Sequence, residues 1–256
     1  MTRLLVFGIG YSAQRVADLA VSAGWQVCAT GSAGDLDFGD FDAVMAALHG
    51  AQLVLSSVPP GEAGDPVLDR YETGLAGKRL AYFSSSGVYG DTGGAWVDES
   101  APVGSGRRTA RAEADQRWLA LGARVYRLPG IYGPGRSAFE RVASGRAHRI
   151  DLPGQVFSRV HVDDIASGVM AGWQAPPGAY NLADDLPASQ NAVIEEACRL
   201  LGRAAPPLLT LDEANLSPMA RGFYEENRRV ANGKAKRVLG WSPRYPTYRE
   251  GLRSLL

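Results

Sequence analysis

Apolar residues in this chain come in short blocks, parted by glycine, proline and serine, and the blocks alternate between strand and helix spacing. Arg3 to Phe7 is a continuous apolar run, the pattern of a buried strand. It enters Gly8-Ile9-Gly10, after which Val16, Leu19 and Ala20 recur on one side of a helix. Trp25 to Thr30 reads as a second strand, Phe41 to Leu48 as a helix, and Gln52 to Val58 as a third strand closed by Pro59-Pro60-Gly61. Leu80 to Phe83 is a strand running into Ser84-Ser85-Ser86, and the Gly-, Asp- and Pro-rich residues 87–104 read as loop. Arg107 to Leu121 has the polar and apolar sides of a helix, and Ala123 to Leu128 is a further strand closed by Pro129-Gly130. Alternating strands and helices with short links predict an α/β fold, a Rossmann-like doubly wound parallel sheet.

The remainder is less regular. Ser137 to Gly145 reads as a short helix and Arg159 to Val162 as a short strand. Asp163 to Trp173 reads as a helix that Asp163 would cap. Ala179 to Leu182 is the last strand, followed by helices over Asn191–Leu201 and Tyr248–Leu256. The expected organisation is a dinucleotide-binding domain over residues 1–183, interrupted by a lobe segment at 136–155. Residues 184–256 then form a small C-terminal substrate lobe over the carboxyl ends of the strands, where ligands bind in open α/β sheets.

Charge narrows the partners. Lys plus Arg and Asp plus Glu are 27 each, with no basic stripe, which argues against nucleic acid or an anionic membrane. No apolar run approaches the ~20 residues of a membrane span, and the chain opens directly on a strand, so a soluble, cytoplasmic protein is expected. Cys28 and Cys198 lie in apolar contexts and are expected as buried, reduced thiols. His49, His148 and His161 have no metal-ligand spacing, so no metal site is expected.

The first turn carries the first candidate chemistry. Gly8-Ile9-Gly10-Tyr11-Ser12-Ala13 is a G-x-G-x-x-A sequence between strand and helix. Gly8 suits a tight turn, Gly10 a close approach by pyrophosphate, and Ala13 close packing of helix on strand. Phosphate would then lie on the free N–H groups of the helix N-terminus; the alternative is a strand-to-helix turn without ligand. At the end of the second strand an acid would hold a ribose 2′-hydroxyl, and a nearby Arg a 2′-phosphate. This chain has Thr30-Gly31-Ser32, neither acid nor Arg, and the reading leans to NADP over NAD. Asp35 and Asp37 follow, either facing adenine or as solvated loop carboxylates.

Further motifs follow in order: Phe83-Ser84-Ser85-Ser86-Gly87-Val88-Tyr89-Gly90, Asp98-Glu99-Ser100-Ala101-Pro102, Arg127-Leu128-Pro129-Gly130-Ile131-Tyr132-Gly133-Pro134-Gly135 and Ser158-Arg159-Val160-His161-Val162-Asp163-Asp164-Ile165-Ala166. Tyr180-Asn181-Leu182 and Leu239-Gly240-Trp241 complete the series. With the glycine turn they span nearly the whole chain, which resembles the extended and atypical short-chain dehydrogenase/reductase superfamily, in its nucleotide-sugar epimerase and dehydratase branch.

That resemblance implies a Tyr that exchanges a proton, a Lys one helical turn later that lowers its pKa and holds the nicotinamide ribose, and a Ser or Thr that polarises the same substrate oxygen. Ser85 stands at the Ser/Thr position, with Ser84 and Ser86 as register alternatives; the competing reading is a hydroxyl that satisfies strand-end backbone. The Tyr and Lys are absent. In the family a helical Glu follows the Lys by four residues and the Tyr by eight. Matching Glu113 to it puts Thr109 at the Lys position and Ser105 at the Tyr position. No lysine occurs between Arg79 and Gly233, and Tyr11, Tyr132, Tyr224 and Tyr245 each have Arg four residues later. Arg107, Arg108 and Arg111 are nearby cations for a ribose or phosphate, or else a solvated helix face.

A replacement acid would have to come from Tyr89, Tyr132 or the 105–109 segment, the two tyrosines each weighed against core packing. Pro129 to Tyr132 would wall the nicotinamide pocket. Arg159 resembles the Arg that meets nucleotide-sugar phosphates in relatives, or is a cap or Asp-paired residue. His161 reads as a hydrogen-bonded structural histidine. The expected function is NAD(P)-dependent hydride transfer on a nucleotide-sugar or similar hydroxyl substrate, as an oxidoreductase or epimerase with an atypical active site. The alternatives are a non-catalytic dinucleotide-binding sensor or scaffold, and an interaction module with an empty glycine turn. Relatives often pair through the helices around 105–121, which makes a homodimer the candidate assembly.

Overall fold

The structure is a computed structural model that describes residues 1–106 and 109–256. The first half runs β1 (Arg3–Phe7), α1 (Tyr11–Ser22), β2 (Gln26–Ala29), α2 (Phe41–Gly50), β3 (Leu53–Ser56), α3 (Pro66–Tyr71), β4 (Arg79–Ser85), β5 (Trp96–Val97), α4 (Thr109–Ala120) and β6 (Arg124–Leu128). There follow β7 (Gly130–Tyr132), α5 (Ala138–Ala143), β8 (Arg149–Ile150), β9 (Arg159–His161), α6 (Val162–Gly172) and β10 (Gly178–Asn181). The chain ends with α7 (Gln190–Leu200), β11 (Leu208–Leu209), α8 (Pro218–Gly222), β12 (Arg229–Val230), α9 (Gly233–Leu239) and α10 (Tyr248–Arg253).

Six strands form one parallel sheet in the order β10-β6-β4-β3-β1-β2. β2 lies on one side of β1 and β3 on the other, so the winding direction reverses between β1 and β3. The carboxyl ends of these two strands therefore open a crevice that helices cannot fill. Each face of the sheet buries its own core. Leu4, Val6, Val16, Phe83 and Ile165 pack between the sheet and α1 and α6, while Leu5, Phe7, Val54, Tyr82 and Trp118 pack under α2, α3 and α4. Alternation along β1 sends successive side chains to opposite cores, as a strand buried on both faces requires.

A smaller core joins α5, α7 and α10 through Val142, Ile194, Cys198, Tyr248 and Leu252. α9 is not part of it: Ala235, Leu239 and Trp241 pack into the core of the sheet. The lobe is stitched to the sheet domain by β12, which pairs in parallel with β5.

Three local expectations change, and one helix, α3, is added. Leu19 is 42% exposed; the buried stripe of α1 is Ala13, Val16, Ala17 and Ala20. Residues 87–104 are not all loop, because a 3-10 turn over Ser86–Tyr89 and β5 lie there. α3 begins at Asp65-Pro66, where Asp65 accepts from the N–H groups of Val67 and Leu68. α6 is capped by His161, whose Nδ1 accepts from the Asp163 N–H at 3.2 Å, so Asp163 sits inside the first turn. Among the described residues no helix is long and apolar enough to cross a membrane.

Candidate functional site

The glycine turn faces the crevice. Gly8 has φ +77°, and a Cβ there would lie 2.8 Å from Val58 Cγ2, so the strand can turn this tightly only with glycine. Gly10 is the N-cap of α1 and offers no side-chain cap, and the space beside it is open. The first N–H groups of a 12-residue helix are thus presented with no acid in the first turn. Ser57 Oγ donates to the Gly8 carbonyl and Gly8 N donates to Thr30 Oγ1 at 3.1 Å, which fixes the cradle from both neighbouring strands. Ala13 is buried under it, and Tyr11 donates to the Pro134 carbonyl at 3.0 Å, tying the turn to the loop after β7.

This geometry fits a dinucleotide. The open space beside Gly10 and the uncapped N–H groups of α1 leave room for a pyrophosphate, and β2 ends beside the same turn. There Thr30 is buried on Gly8 while Ser32 is exposed. Asp35 turns its carboxylate back onto the Ala29 N–H at 2.7 Å.

β4 ends in Ser84 and Ser85 on opposite faces, with Ser86 opening the 3-10 turn that follows. Ser84 points toward α4 and donates to Asp115 Oδ2 at 2.6 Å. Ser85 points the other way and is half-buried; its Oγ accepts from Gly87 N at 3.1 Å, capping the 3-10 turn. Its own hydrogen has no acceptor among the described residues, so Ser85 can donate outward. Ser86 is buried.

Behind the serines lies a continuous buried polar network. Arg127 on β6 grips Asp115 on α4 with two bonds, at 3.0 and 2.8 Å, and also donates to Tyr89 Oη at 3.1 Å. Tyr89 donates to Asn181 Oδ1 at 2.8 Å, and Asn181 N donates to Glu99 at 2.6 Å. Burial works against the Arg127 charge, but Asp115 and Tyr89 more than offset it and hold the guanidinium protonated. Burial, against Arg127, also raises the Tyr89 pKa. Tyr89 is thus a strut between β6 and β10 with its hydroxyl committed inward.

Tyr132 and Arg159 stand together elsewhere, on β7 and β9. Pro129, half-buried, leads from β6 into β7. The Tyr132 hydroxyl points at α10, where it leaves no room for a side chain at Gly251, and has no hydrogen-bond partner among the described residues. Burial raises its pKa, helped by Asp184 and Asp164. Arg159 is 7% exposed. It donates to the carbonyls of Phe157 and Ala188 at 2.8 Å and to Gln190 Oε1 at 3.2 Å. Desolvation lowers its pKa to about 10. His161 meets Tyr132 edge to face and Tyr245 at a tilt, and burial lowers its pKa, which favours the neutral ring.

Asp184 completes this cluster. Neither of its carboxylate oxygens has a hydrogen-bond partner among the described residues; the Leu186 N–H faces it without closing a bond. Burial pushes its pKa up to about 8, with Arg159 pulling the other way and Asp185 and Asp164 adding to the rise. The folded state therefore holds a proton that the unfolded chain releases near pH 4, so stability falls as pH rises from about 4 to 8. Asp184→Asn removes that dependence. The variant is expected to melt progressively higher than the wild type between pH 5 and 8.5; melting curves that stay parallel over that range would show that Asp184 does not carry it.

No protein-family model matches the chain. It is 39% identical to a solved protein of unknown function from Silicibacter pomeroyi, with a TM-score of 0.89 over 100% of this chain and 98% of that one. The two belong to one family. A dTDP-glucose 4,6-dehydratase from Bacillus anthracis, solved with NAD, is 17% identical with a TM-score of 0.76, over 100% and 95% of the two chains. A human epimerase family protein, solved with NADPH, is 18% identical with a TM-score of 0.77, over 99% of each. The fold is thus that of the extended short-chain dehydrogenase/reductases. A 3-diazoavenalumate denitrifying reductase from Streptomyces is 32% identical over 160 residues, 56% of this chain and 52% of that protein. The match spans about half the length of that curated relative.

The extended short-chain pattern can now be set on α4 by geometry. Glu113, the acid matched from sequence, faces solvent, while Asp115 is fully buried against Arg127 and Ser84. Taking Asp115 as the anchored helical acid moves the register by two residues. The Lys position then reads Arg111 and the Tyr position Arg107, which lies outside the described residues, as does Arg108. Arg111 donates to the Phe83 carbonyl at 3.2 Å and to Tyr82 Oη at 3.3 Å, beside the end of β4. Ser105 instead donates to the Tyr89 carbonyl at 3.1 Å. Sequence spacing alone offers two acids two residues apart; only burial tells them apart.

Proposed function

We propose that this chain is an NAD(P)-dependent oxidoreductase or epimerase that moves hydride to or from a small organic substrate, at a site without the Tyr–Lys relay. The observation that carries this reading is that the carboxyl edge of one parallel sheet bears both an uncapped α1 N-terminus after β1 and, two strands away, Ser85 at the end of β4 with a hydroxyl hydrogen that has no acceptor among the described residues. A bound nicotinamide dinucleotide would supply the hydride chemistry. Gly8 to Ala13 hold its pyrophosphate, and Thr30-Gly31-Ser32 receive the adenosine ribose. Thr30-Gly31-Ser32 carries no carboxylate to bind a 2′-hydroxyl, and Asp35 has one oxygen turned back onto the Ala29 N–H, so NADP is favoured over NAD. Ser85 donates to the substrate oxygen and orients the reacting carbon.

Nucleotide-sugars are the first candidate substrates, since a structure of this fold holds UDP-glucose with NAD. The Streptomyces relative, named as a reductase of a diazo compound, points to the reductive direction. Hydride delivery to an acceptor that carries its own leaving group needs no proton from the protein, which suits a site with no evident proton carrier. The test is followed at 340 nm, as NADP+ reduction with UDP-glucose or UDP-glucuronate as hydride donor and as NADPH oxidation with an arenediazonium carboxylate as acceptor. Turnover with one of them, reduced about 100-fold in Ser85→Ala, is the expected result. Tight NADPH binding with no turnover of any of them favours the second reading, a non-catalytic dinucleotide sensor, for which the inward commitment of Tyr89 speaks.

A further inference from the structure

A lobe residue reaches the space beside Ser85. Arg228 lies just before β12, in the segment that runs along residues 90–97. Its Nη1 donates to the Gly90 carbonyl, and both terminal nitrogens donate to Glu226 Oε2, each at 2.9 Å. Both side chains of this pair are largely buried. The segment on either side is fixed as well: Asn227 N donates to Asp91 at 2.8 Å, and Thr92 and Gly94 N–H groups donate to the Asn227 carbonyl. The guanidinium is therefore held in one place by the seam between lobe and sheet domain.

That place is over Gly87. A Cβ on Gly87 would lie 3.2 Å from Ser85 Oγ and 3.9 Å from Arg228 Nη2, so the serine and the guanidinium flank the same small gap. Glu226 takes one hydrogen of Nη2, and the other has no acceptor among the described residues. Nη2 is the guanidinium nitrogen beside Gly87 and so the one that faces the gap it shares with Ser85. Arg159, by contrast, spends its donors on lobe acceptors.

We propose that Arg228 supplies from the lobe the positive charge at the reacting centre, facing with Ser85 a substrate oxygen that becomes negative during hydride transfer. This rests on the hydride-transfer reading above and deepens it by naming the acceptor class, a carbonyl compound. When nicotinamide hydride adds to the carbonyl carbon, a C–H bond forms and the C–O π pair moves onto oxygen. The nicotinamide is oxidised and the carbonyl reduced. The alkoxide is held by Ser85 O–H and Arg228 N–H and takes its proton from water. An arginine stays charged throughout and so stabilises the anion without serving as the proton source. In the reverse direction the same charge eases loss of the alcohol proton to water.

The charge can be read without substrate or cofactor. In Ser85→Cys the thiol titrates in the field of Arg228, and its alkylation by iodoacetamide is followed against pH, with the wild type as background for Cys28 and Cys198. A thiol beside an arginine ionises below its ordinary range. Adding Arg228→Gln is expected to slow alkylation at pH 7 about tenfold, equivalent to raising the midpoint by about one pH unit; adding Arg228→Lys retains most of the rate. Glu226→Gln keeps the arginine and removes its counter-charge, so it is expected to lower the midpoint further, which keeps the test open if Arg228→Gln fails to fold. The same midpoint with and without Arg228 in folded protein, or no fall with Glu226→Gln, overturns the proposal. Because no nucleotide is present, that failure is distinct from a failure of the cofactor reading.

Discussion

Asp115→Ala is expected to destabilise the protein by about 3–5 kcal/mol, because it leaves the Arg127 guanidinium charged and unpaired in the interior. Asp115 is fully buried, and Arg127 makes two of its bonds to it. Ser84 loses its acceptor in the same variant. Urea unfolding should show the loss as a lower midpoint at unchanged slope. Arg127→Met should cost a similar amount, since it strands a buried carboxylate. Asp115→Leu combined with Arg127→Met removes both charges, and the pair should recover more than half of the sum of the single losses. Strictly additive losses would mean that the two residues do not act as a unit, and that the network behind the serines is not what holds β4, β6 and α4 in register.

Gly10→Asp is expected to separate folding from cofactor binding. Gly10 has extended backbone (φ −109°), and no atom lies within 4 Å of a Cβ placed there. Aspartate is also a favourable N-cap, so the melting temperature should hold or rise slightly. Its carboxylate would occupy the place of the pyrophosphate on the α1 N-terminus. NADPH affinity should therefore fall more than 100-fold, as read by quenching of tryptophan fluorescence. Gly8→Ala should behave differently, losing stability as well as affinity, because of its left-handed backbone and the contact with Val58. A folded Gly10→Asp protein that binds NADPH as the wild type does would place the dinucleotide elsewhere.

The sheet was legible because strands buried on both faces are near-continuous apolar runs, as in Leu4–Phe7, Leu53–Leu55 and Leu80–Phe83, while β6 keeps the pattern despite Arg124 and Arg127. The short strands were not. β5 and β12 have two residues each, and their pairing depends on a lobe segment more than 130 positions away that no local pattern marks. The α6 cap was misread because Asp163 has the stronger capping propensity, yet His161, already held between Tyr132 and Tyr245, reaches the N–H first.

The site was legible in part. Of the residues proposed for it, the glycine turn and Ser85 stand out in the sequence by residue type and position. Arg228 does not, since an arginine in an irregular segment carries no signal until the fold brings it over Gly87. The two-residue register of α4 lay hidden for a related reason: Glu113 and Asp115 are equivalent in spacing terms and differ only in which one the sheet buries.

The central claim is that the crevice at the end of β1 takes a nicotinamide dinucleotide. Calorimetric titration of NADPH and NADH into the wild-type protein tests it most directly. The account predicts one site per chain, with NADPH bound at least tenfold more tightly than NADH. The absence of binding heat for either nucleotide up to millimolar concentration, with Gly10→Asp indistinguishable from the wild type, would contradict it.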